Sequence, residues 1–367
     1  MKSIMDNGQI KILVTGASGF IGSFLCEEGL KRRMAVWAGM RKSSRRQWLQ
    51  NEWLQFQTLD MTDRATLAQQ LTQFKQKHGR WDIIVHAAGA TKCLDPADFD
   101  RNNYDCTVNL VETLRQLDMV PKLFVYVSSL SVVGPAREAP SPAPTGQPLS
   151  DGRASIYDEI TAADTPHPNT AYGQSKLRSE QYLQSLDFLF PYVIFRPTGV
   201  YGPREKDYFL QAKSVKQHID FAVGYRRQEI TFVYVQDLVD AIFAAVEKAQ
   251  IGQVAVVERK IYHVSDGRAY SSRAFSDLIQ RELGVAGVLH IKAPLWFLRC
   301  VCAVSDWWSR RTKRVATLNN DKYKILSQRN WQCDISPLRR DLGFTPQWPL
   351  ERGTAETVAW YRKNHWL

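Results

Sequence analysis

The sequence predicts an α/β fold: a doubly wound parallel sheet with a smaller, mostly helical C-terminal substrate lobe. Three observations predict it. Short apolar runs recur at 9–15, 34–40, 56–59, 81–87, 122–127, 192–195 and 262–264, with helical patterns between most of them. Such runs suit strands buried on both faces, and their alternation with helices suits parallel crossovers. A glycine-rich stretch joins the first run to the first helical segment, and beyond about Ser271 helical patterns prevail.

The 367 residues, 44% hydrophobic and 23% charged, exclude a disordered, collagen-like or small disulfide-dense chain. Their number suits one large α/β unit with an appended lobe. Against 37 Asp and Glu stand 48 Lys and Arg, a net charge of +11. That surplus points to an anionic partner: a phosphorylated cofactor, an acidic substrate, nucleic acid or an anionic membrane surface. Cys26, Cys93, Cys106, Cys300, Cys302 and Cys333 contain no C-x-x-C pair, so neither a metal site nor a disulfide framework is expected. The N-terminus shows no apolar signal region, and a cytoplasmic location is expected. The longest membrane candidate, 293–304, contains Arg299 and falls well short of the roughly 20 apolar residues a span needs.

Taken in order, the first strand ends in Thr15-Gly-Ala-Ser-Gly-Phe-Ile-Gly22. Gly16 permits a tight turn, Gly19 lets backbone approach a pyrophosphate, and Gly22 allows close helix–strand packing. The helix that starts here, with Phe20 and Ile21 in its first turn, offers N–H donors and the positive end of its dipole. The second strand ends Gly39-Met40-Arg41-Lys42, with Arg45 and Arg46 behind and no carboxylate. A free ribose 2′-hydroxyl usually meets Asp or Glu at this place. A guanidinium here suits a 2′-phosphate, so Arg41 favours NADP(H), with NAD(H) the alternative.

Tyr172-Gly-Gln-Ser-Lys176 opens a helical segment after the strand Leu123-Phe-Val-Tyr-Val127 and the pair Ser128-Ser129. The spacing of four puts Tyr172 and Lys176 on one face. A phenol is a poor acid–base at neutral pH, and a neighbouring ammonium is expected to lower its pKa.

These residues resemble the extended short-chain dehydrogenase/reductases, the group that includes the NAD-dependent epimerase/dehydratase enzymes. Besides the glycine stretch, the resemblance rests on Asp60-Met-Thr-Asp63, His86-Ala-Ala-Gly89, Ser128-Ser-Leu-Ser-Val-Val-Gly134 and Tyr172-Gly-Gln-Ser-Lys176. Further on it rests on Arg196-Pro-Thr-Gly-Val-Tyr-Gly-Pro203, Phe232-Val-Tyr-Val-Gln-Asp237, Leu342-Gly-Phe-Thr-Pro346 and Glu351-Arg-Gly353. It implies a Rossmann NAD(P)-binding domain over 1–198, with 230–265 returning to it, and a substrate lobe from 199–229 and 266–367. It implies Tyr172 as acid–base, Lys176 holding the ribose, and Ser129 bonding the substrate oxygen, with Ser128 as fallback. Asp60 is expected to read the adenine with Met61 beside it. Ala87, Ala88 and Gly89 would line the cofactor groove, and Pro197 and Thr198 would approach the nicotinamide. His86 reads as a strand-end residue with structural hydrogen bonds. Family members are often dimers.

Which reaction follows is read from departures. After Ser129 stand Leu130, Ser131 and Val132, without the carboxylates that the family's dehydratases and decarboxylases use. Where sugar-nucleotide members tend to carry Arg, this chain has Ile230 after Glu229, with Arg226 and Arg227 nearby. In this it looks more like the dihydroflavonol reductases and 3-beta-hydroxysteroid dehydrogenases. The expected activity is hydride transfer between a secondary alcohol and a ketone on a hydrophobic or ring-shaped substrate. The alternatives are a nucleotide-sugar 4-epimerase or reductase with retained NAD, and a non-catalytic dinucleotide-binding sensor. No nucleic-acid motif is present, and no nucleic-acid partner is expected. Leu295-Trp-Phe-Leu, Val301, Trp307-Trp308 and the cations Arg310, Arg311, Lys313 and Arg314 admit three readings. They form an apolar substrate wall, a peripheral contact with an anionic membrane, or a core helix with a solvated basic end. The Pro-rich connection 135–169 is either a cover over the substrate or an inert surface insertion.

Overall fold

In the computed structural model, which describes residues 9–313 and 318–367, the predicted parallel sheet forms the centre of the molecule. The chain begins with β1 (Lys11–Thr15), α1 (Phe20–Lys31), β2 (Ala35–Met40), β3 (Gln55–Thr58), α2 (Arg64–His78) and β4 (Ile83–His86). A short helix α3 (Ala97–Phe99) widens into a π-helical turn at Asp100–Asp105 and runs on as α4 (Cys106–Gln116). Then come β5 (Leu123–Val127), α5 (Ala171–Ser185) and β6 (Tyr192–Pro197).

Beyond β6 the chain forms β7 (Gly199–Tyr201), α6 (Asp207–Lys216), β8 (Ile219–Val223), β9 (Glu229–Ile230), β10 (Phe232–Tyr234) and α7 (Val235–Gln250). It returns as β11 (Ile261–Val264) and leaves again through β12 (Tyr270–Ser271), α8 (Ala274–Leu283) and β13 (Leu289–Ala293). The last elements are α9 (Leu295–Thr312), α10 (Asn320–Ser327), α11 (Ser336–Leu342) and α12 (Leu350–Lys363).

Seven strands make the main sheet in the order β11-β6-β5-β4-β1-β2-β3, parallel at every pairing. Its residues alternate between two cores, as strand geometry requires. Ile12, Val14, Val36, Ala38, Val85, Val125 and Val193 pack with Leu25 of α1 and Leu238, Ile242 and Phe243 of α7. Leu13, Trp37, Ile84, Phe124 and Ile194 pack on the other face with Leu67 and Leu71 of α2, Leu110 and Leu114 of α4, and Leu183 of α5. Both faces are covered, so β2, β5 and β6 are buried at every position, and β2, β5 and the first four residues of β6 read as apolar runs.

Strand order reverses at β1, whose neighbours are β2 and β4. The crevice at the carboxyl end of such a switch point is where open α/β sheets bind ligands. Beyond β6 a group of rings gathers around Tyr201, which meets Tyr208, Phe232, Tyr234 and Phe275 edge-on. The C-terminal segment is fastened by Asp237, whose carboxylate accepts from the N–H groups of Gln347 and Trp348 at 2.8 and 2.9 Å. Of the basic cluster singled out above, Arg314 lies outside the described residues.

Candidate active site

The end of β1 and the end of β4 come together at the switch point. Gly16 has φ +67°, and a Cβ there would stand 2.7 Å from Ala88 Cα. A Cβ on Gly22 would collide with the Gly16 carbonyl oxygen. Gly19 begins α1 with no side-chain cap, which leaves the first-turn N–H groups, those of Phe20 and Ile21 among them, without intrahelical partners. A bare helix N-terminus beside a backbone cradle fits a pyrophosphate.

At the carboxyl end of β2, Arg41 and Lys42 are exposed and make no ion pair among the described residues. Arg46 instead stacks over Phe56, 3.8 Å from the ring centre. Asp60 turns one carboxylate oxygen to Thr62, accepting from its hydroxyl at 2.6 Å and its N–H at 3.2 Å. The Met61 carbonyl accepts from Asn109 at 2.9 Å.

After β4, the Ala88 N–H donates to Thr15 Oγ1 at 3.2 Å, and Thr15 bonds His86 Nδ1 at 2.8 Å. His86 Nε2 meets Thr107 Oγ1 at 3.1 Å, while that hydroxyl donates to the Asn103 carbonyl. These contacts place the ring proton on Nε2 and occupy both nitrogens, and burial lowers the His86 pKa to about 3. The Ala87-Ala88-Gly89 turn is held by Asn103, which exchanges hydrogen bonds with Ala90 at 2.7 and 3.1 Å and donates to Ser175 Oγ at 2.9 Å. A Cβ on Gly89 would lie 3.1 Å from both Asn103 Oδ1 and Lys176 Nζ. The bare glycine is what lets the lysine approach this turn.

The remaining groups converge at the end of β5. Thr170 caps α5 by accepting from the Gly173 N–H at 2.9 Å, which sets Tyr172 in the first turn and Lys176 one turn on. Lys176 is buried and donates to the Val127 carbonyl, the last residue of β5, at 2.9 Å. Ser129 follows at once, with its hydroxyl 3.1 Å from Ser131 Oγ, and it also faces the Tyr172 phenol. Ser128 is turned the other way and donates to the buried Glu180 carboxylate. Pro197 and Thr198 are buried at the end of β6, and the Thr198 hydroxyl is tied to Thr231.

The profile of the NAD-dependent epimerase/dehydratase family matches residues 12–257. The chain belongs to that family. A UDP-glucose 4-epimerase of Vibrio cholerae is 25% identical over 95% of this chain and 94% of its own. A decarboxylating sterol-4-alpha-carboxylate 3-dehydrogenase of Candida albicans is 21% identical over 98% of this chain and 100% of its own. Among solved structures, the Thermotoga maritima UDP-glucose 4-epimerase with UDP-glucose superposes with a TM-score of 0.70 at 20% identity. It covers 96% of this chain and 99% of that one. The chain is thus an enzyme of the extended short-chain dehydrogenase type.

Tyr172 and Lys176 stand one turn apart on α5, as their spacing predicts, but the phenol is raised rather than lowered. Burial pushes the Tyr172 phenol up to about 12, and only the hydrogen bond with Ser129 opposes it. Lys176 donates its own hydrogen bond to the Val127 carbonyl. Burial lowers Lys176 itself to about 8, against the pull of Glu180.

The sequence reading also missed the groups that hold this centre. Glu180 receives Arg196 through two nitrogens, the shorter contact 2.6 Å, and both side chains are buried. The Tyr172 N–H donates to Asp321 of α10 at 3.2 Å. Glu229, fully buried, accepts from Ser155 Oγ at 2.6 Å, Ile156 N–H at 3.1 Å and Gln332, and pairs with Arg227 at 2.7 Å. That cluster clamps the Pro-rich connection. The connection is further fixed where the Ser150 N–H donates to the Ala269 carbonyl and the Ile160 N–H to the Gln332 carbonyl. The one available signal was the four-residue step from Lys176 to Glu180.

Proposed function

We propose that this chain is an NAD(P)-dependent oxidoreductase that interconverts a secondary alcohol and a ketone on a hydrophobic or ring-shaped substrate. The observation that carries the reading is the convergence of Ser129, Tyr172 and Lys176 at the end of β5, beside the Gly89 turn. Gly16, Gly19, Phe20, Ile21 and Gly22 would hold the pyrophosphate, Asp60 and Met61 the adenine end, and Ala87, Ala88, Pro197 and Thr198 the groove toward the ring. The dinucleotide supplies the hydride acceptor or donor when bound. Ser129 Oγ holds the substrate oxygen, and Tyr172 Oη passes a proton to it in reduction or takes one in oxidation. A phenol raised to about 12 is neutral at physiological pH and suits proton donation, the step that ketone reduction needs. Lys176 would hold the ribose.

The unpaired Arg41 supports NADP(H), with NAD(H) the alternative. An apolar substrate is supported by Ile230 and by the commitment of Arg227 to Glu229, which removes one cation a nucleotide sugar could use. The likeness to a sterol dehydrogenase along the whole chain points the same way. Leu130, Ser131 and Val132 bring no carboxylate beside Ser129 for dehydration. The lobe of 199–229 and 266–367 would hold the substrate.

The test begins with denaturing extraction and mass spectrometry to identify the co-purifying dinucleotide or ligand. Oxidation of the matching reduced dinucleotide is then followed against cyclic ketones. Tyr172→Phe is expected to keep dinucleotide affinity and lose turnover, and near-normal turnover would sink the assignment. The likeness to UDP-glucose 4-epimerases favours a second reading, a nucleotide-sugar 4-epimerase. It requires NAD that survives gel filtration and interconversion of UDP-sugars with no added dinucleotide.

A further inference from the structure

Helix α9 is inverted relative to a soluble amphipathic helix. Leu298, Cys302 and Ser309 face the protein, while Trp296, Phe297, Cys300, Ala303, Val304, Trp307 and Trp308 face outward. At 100° per residue these seven fall within an arc of about 140°. The tryptophans at its two ends are 69%, 63% and 61% exposed. The ribbon that leads into α9 also carries exposed apolar residues. In the parallel pair of β8 and β13, Phe221 stands beside Ile291, and both are exposed together with Leu289. The opposite face of the ribbon carries Asp220 and His290, joined to each other at 3.1 Å. Asp220 and His290 are thus turned inward while Phe221, Leu289 and Ile291 face outward.

Cations border this patch. Arg299, Arg311, Lys313, Lys292 and Arg226 are exposed, and none makes an ion pair among the described residues. The single acid on α9, Asp306, is bound to Asn320 at 2.6 Å. Tryptophan with free cations around an apolar helical face is the chemistry of the bilayer interface, where rings sit among headgroups and cations meet anionic lipid. A second copy is a poor occupant. A twofold contact sets each patch against itself and would bring these unpaired cations face to face. No helix among the described residues is long and apolar enough to cross a membrane, so contact means lying on the surface.

We infer that α9 and the β8–β13 ribbon form a docking face for an anionic lipid bilayer. This inference stands apart from the catalytic reading. Helix α9 is linked toward Tyr172 from its other side, since Asp306 of α9 binds Asn320 of α10, whose neighbour Asp321 bonds the Tyr172 N–H.

The purified full chain is mixed with phosphatidylcholine vesicles, with and without phosphatidylglycerol, and sedimented. It is expected to pellet with the anionic vesicles and to be released by high salt. The double variant Trp307→Glu, Trp308→Glu is expected to lower partitioning by at least about tenfold. A second variant, Arg299→Glu with Lys313→Glu, should weaken binding to anionic vesicles selectively. Melting temperature and dinucleotide affinity should match those of the wild type in both. Absence of sedimentation, or equal sedimentation of the tryptophan variant, overturns the inference. So does light scattering that shows a tryptophan-dependent dimer without lipid.

Discussion

Glu180, one helical turn beyond Lys176, forms a forked and buried ion pair with Arg196 of β6. The carboxylate also receives Ser128, so the pair fixes α5 against the ends of β5 and β6. Removing one partner strands the other charge in the interior, at a cost of about 3–5 kcal/mol. Glu180→Leu is therefore expected to destabilise strongly in urea unfolding. The double variant Glu180→Leu, Arg196→Met should recover much of that loss.

Lys176 provides the pH dependence. Its pKa is lowered to about 8, so in the free enzyme the ammonium is present below that pH and lost as pH rises through it. In the proposed role of Lys176, a bound ribose would favour the charged form and raise the pKa in the complex. Dinucleotide affinity should thus be flat below about pH 8 and weaken above it. Titration by protein fluorescence should show this break, and Lys176→Met should abolish it. The same lowered pKa means the unfolded chain binds more protons between about 8 and 10.5. This group therefore favours unfolding below pH 8 and ceases to do so as pH rises through that window.

The proposed choice between the two dinucleotides turns on Arg41. A charge-assisted hydrogen bond contributes about 1.5–3 kcal/mol, or roughly tenfold to a hundredfold in affinity. Arg41→Ala should weaken NADPH by that factor and leave NADH nearly unchanged in calorimetry. Equal losses would remove the 2′-phosphate assignment.

Gly16 combines a positive φ with a 2.7 Å approach to the Ala88 backbone. Gly16→Ala must move one loop or the other, and neither is a flexible side chain. It is expected to abolish dinucleotide binding and lower the melting temperature. Gly152, with φ +83° but no neighbour within 4 Å, gives the control: Gly152→Ala should carry only backbone strain and bind normally.

Glu229 anchors the Pro-rich connection from beneath. Glu229→Ala leaves Arg227, Ser155 and Gln332 without their shared acceptor. Limited proteolysis is then expected to cut between 141 and 160 faster than in the wild type.

What could be read from sequence divides along a physical line. Strands buried on both faces announce themselves as continuous apolar runs, and a backbone cradle announces itself as glycines at fixed steps, so the sheet and the Gly16–Gly22 loop were legible. Tyr172 and Lys176 were legible because four residues is one helical turn. Which way Lys176 turns was not, since its acceptor is a backbone carbonyl 49 residues away. Buried charge was hidden for the same reason. Glu180 and Glu229 look like surface residues until Arg196 and Gln332 are brought to them. Ser128 and Ser129 are adjacent and alike in sequence, and only the backbone direction after β5 sends one to Glu180 and the other toward Tyr172.

The last strand of the sheet has a bearing on how the protein is made. β11 pairs with β6 only after the chain has travelled through β7–β10 and α7. Until residue 264 has left the ribosome, β6 presents an open edge on a strand of six buried residues, the kind of edge that invites mispairing. The nucleotide-binding half therefore cannot finish folding ahead of the rest. A fragment cut after β6 would be a nascent chain's aggregation-prone intermediate, not a module that could be borrowed.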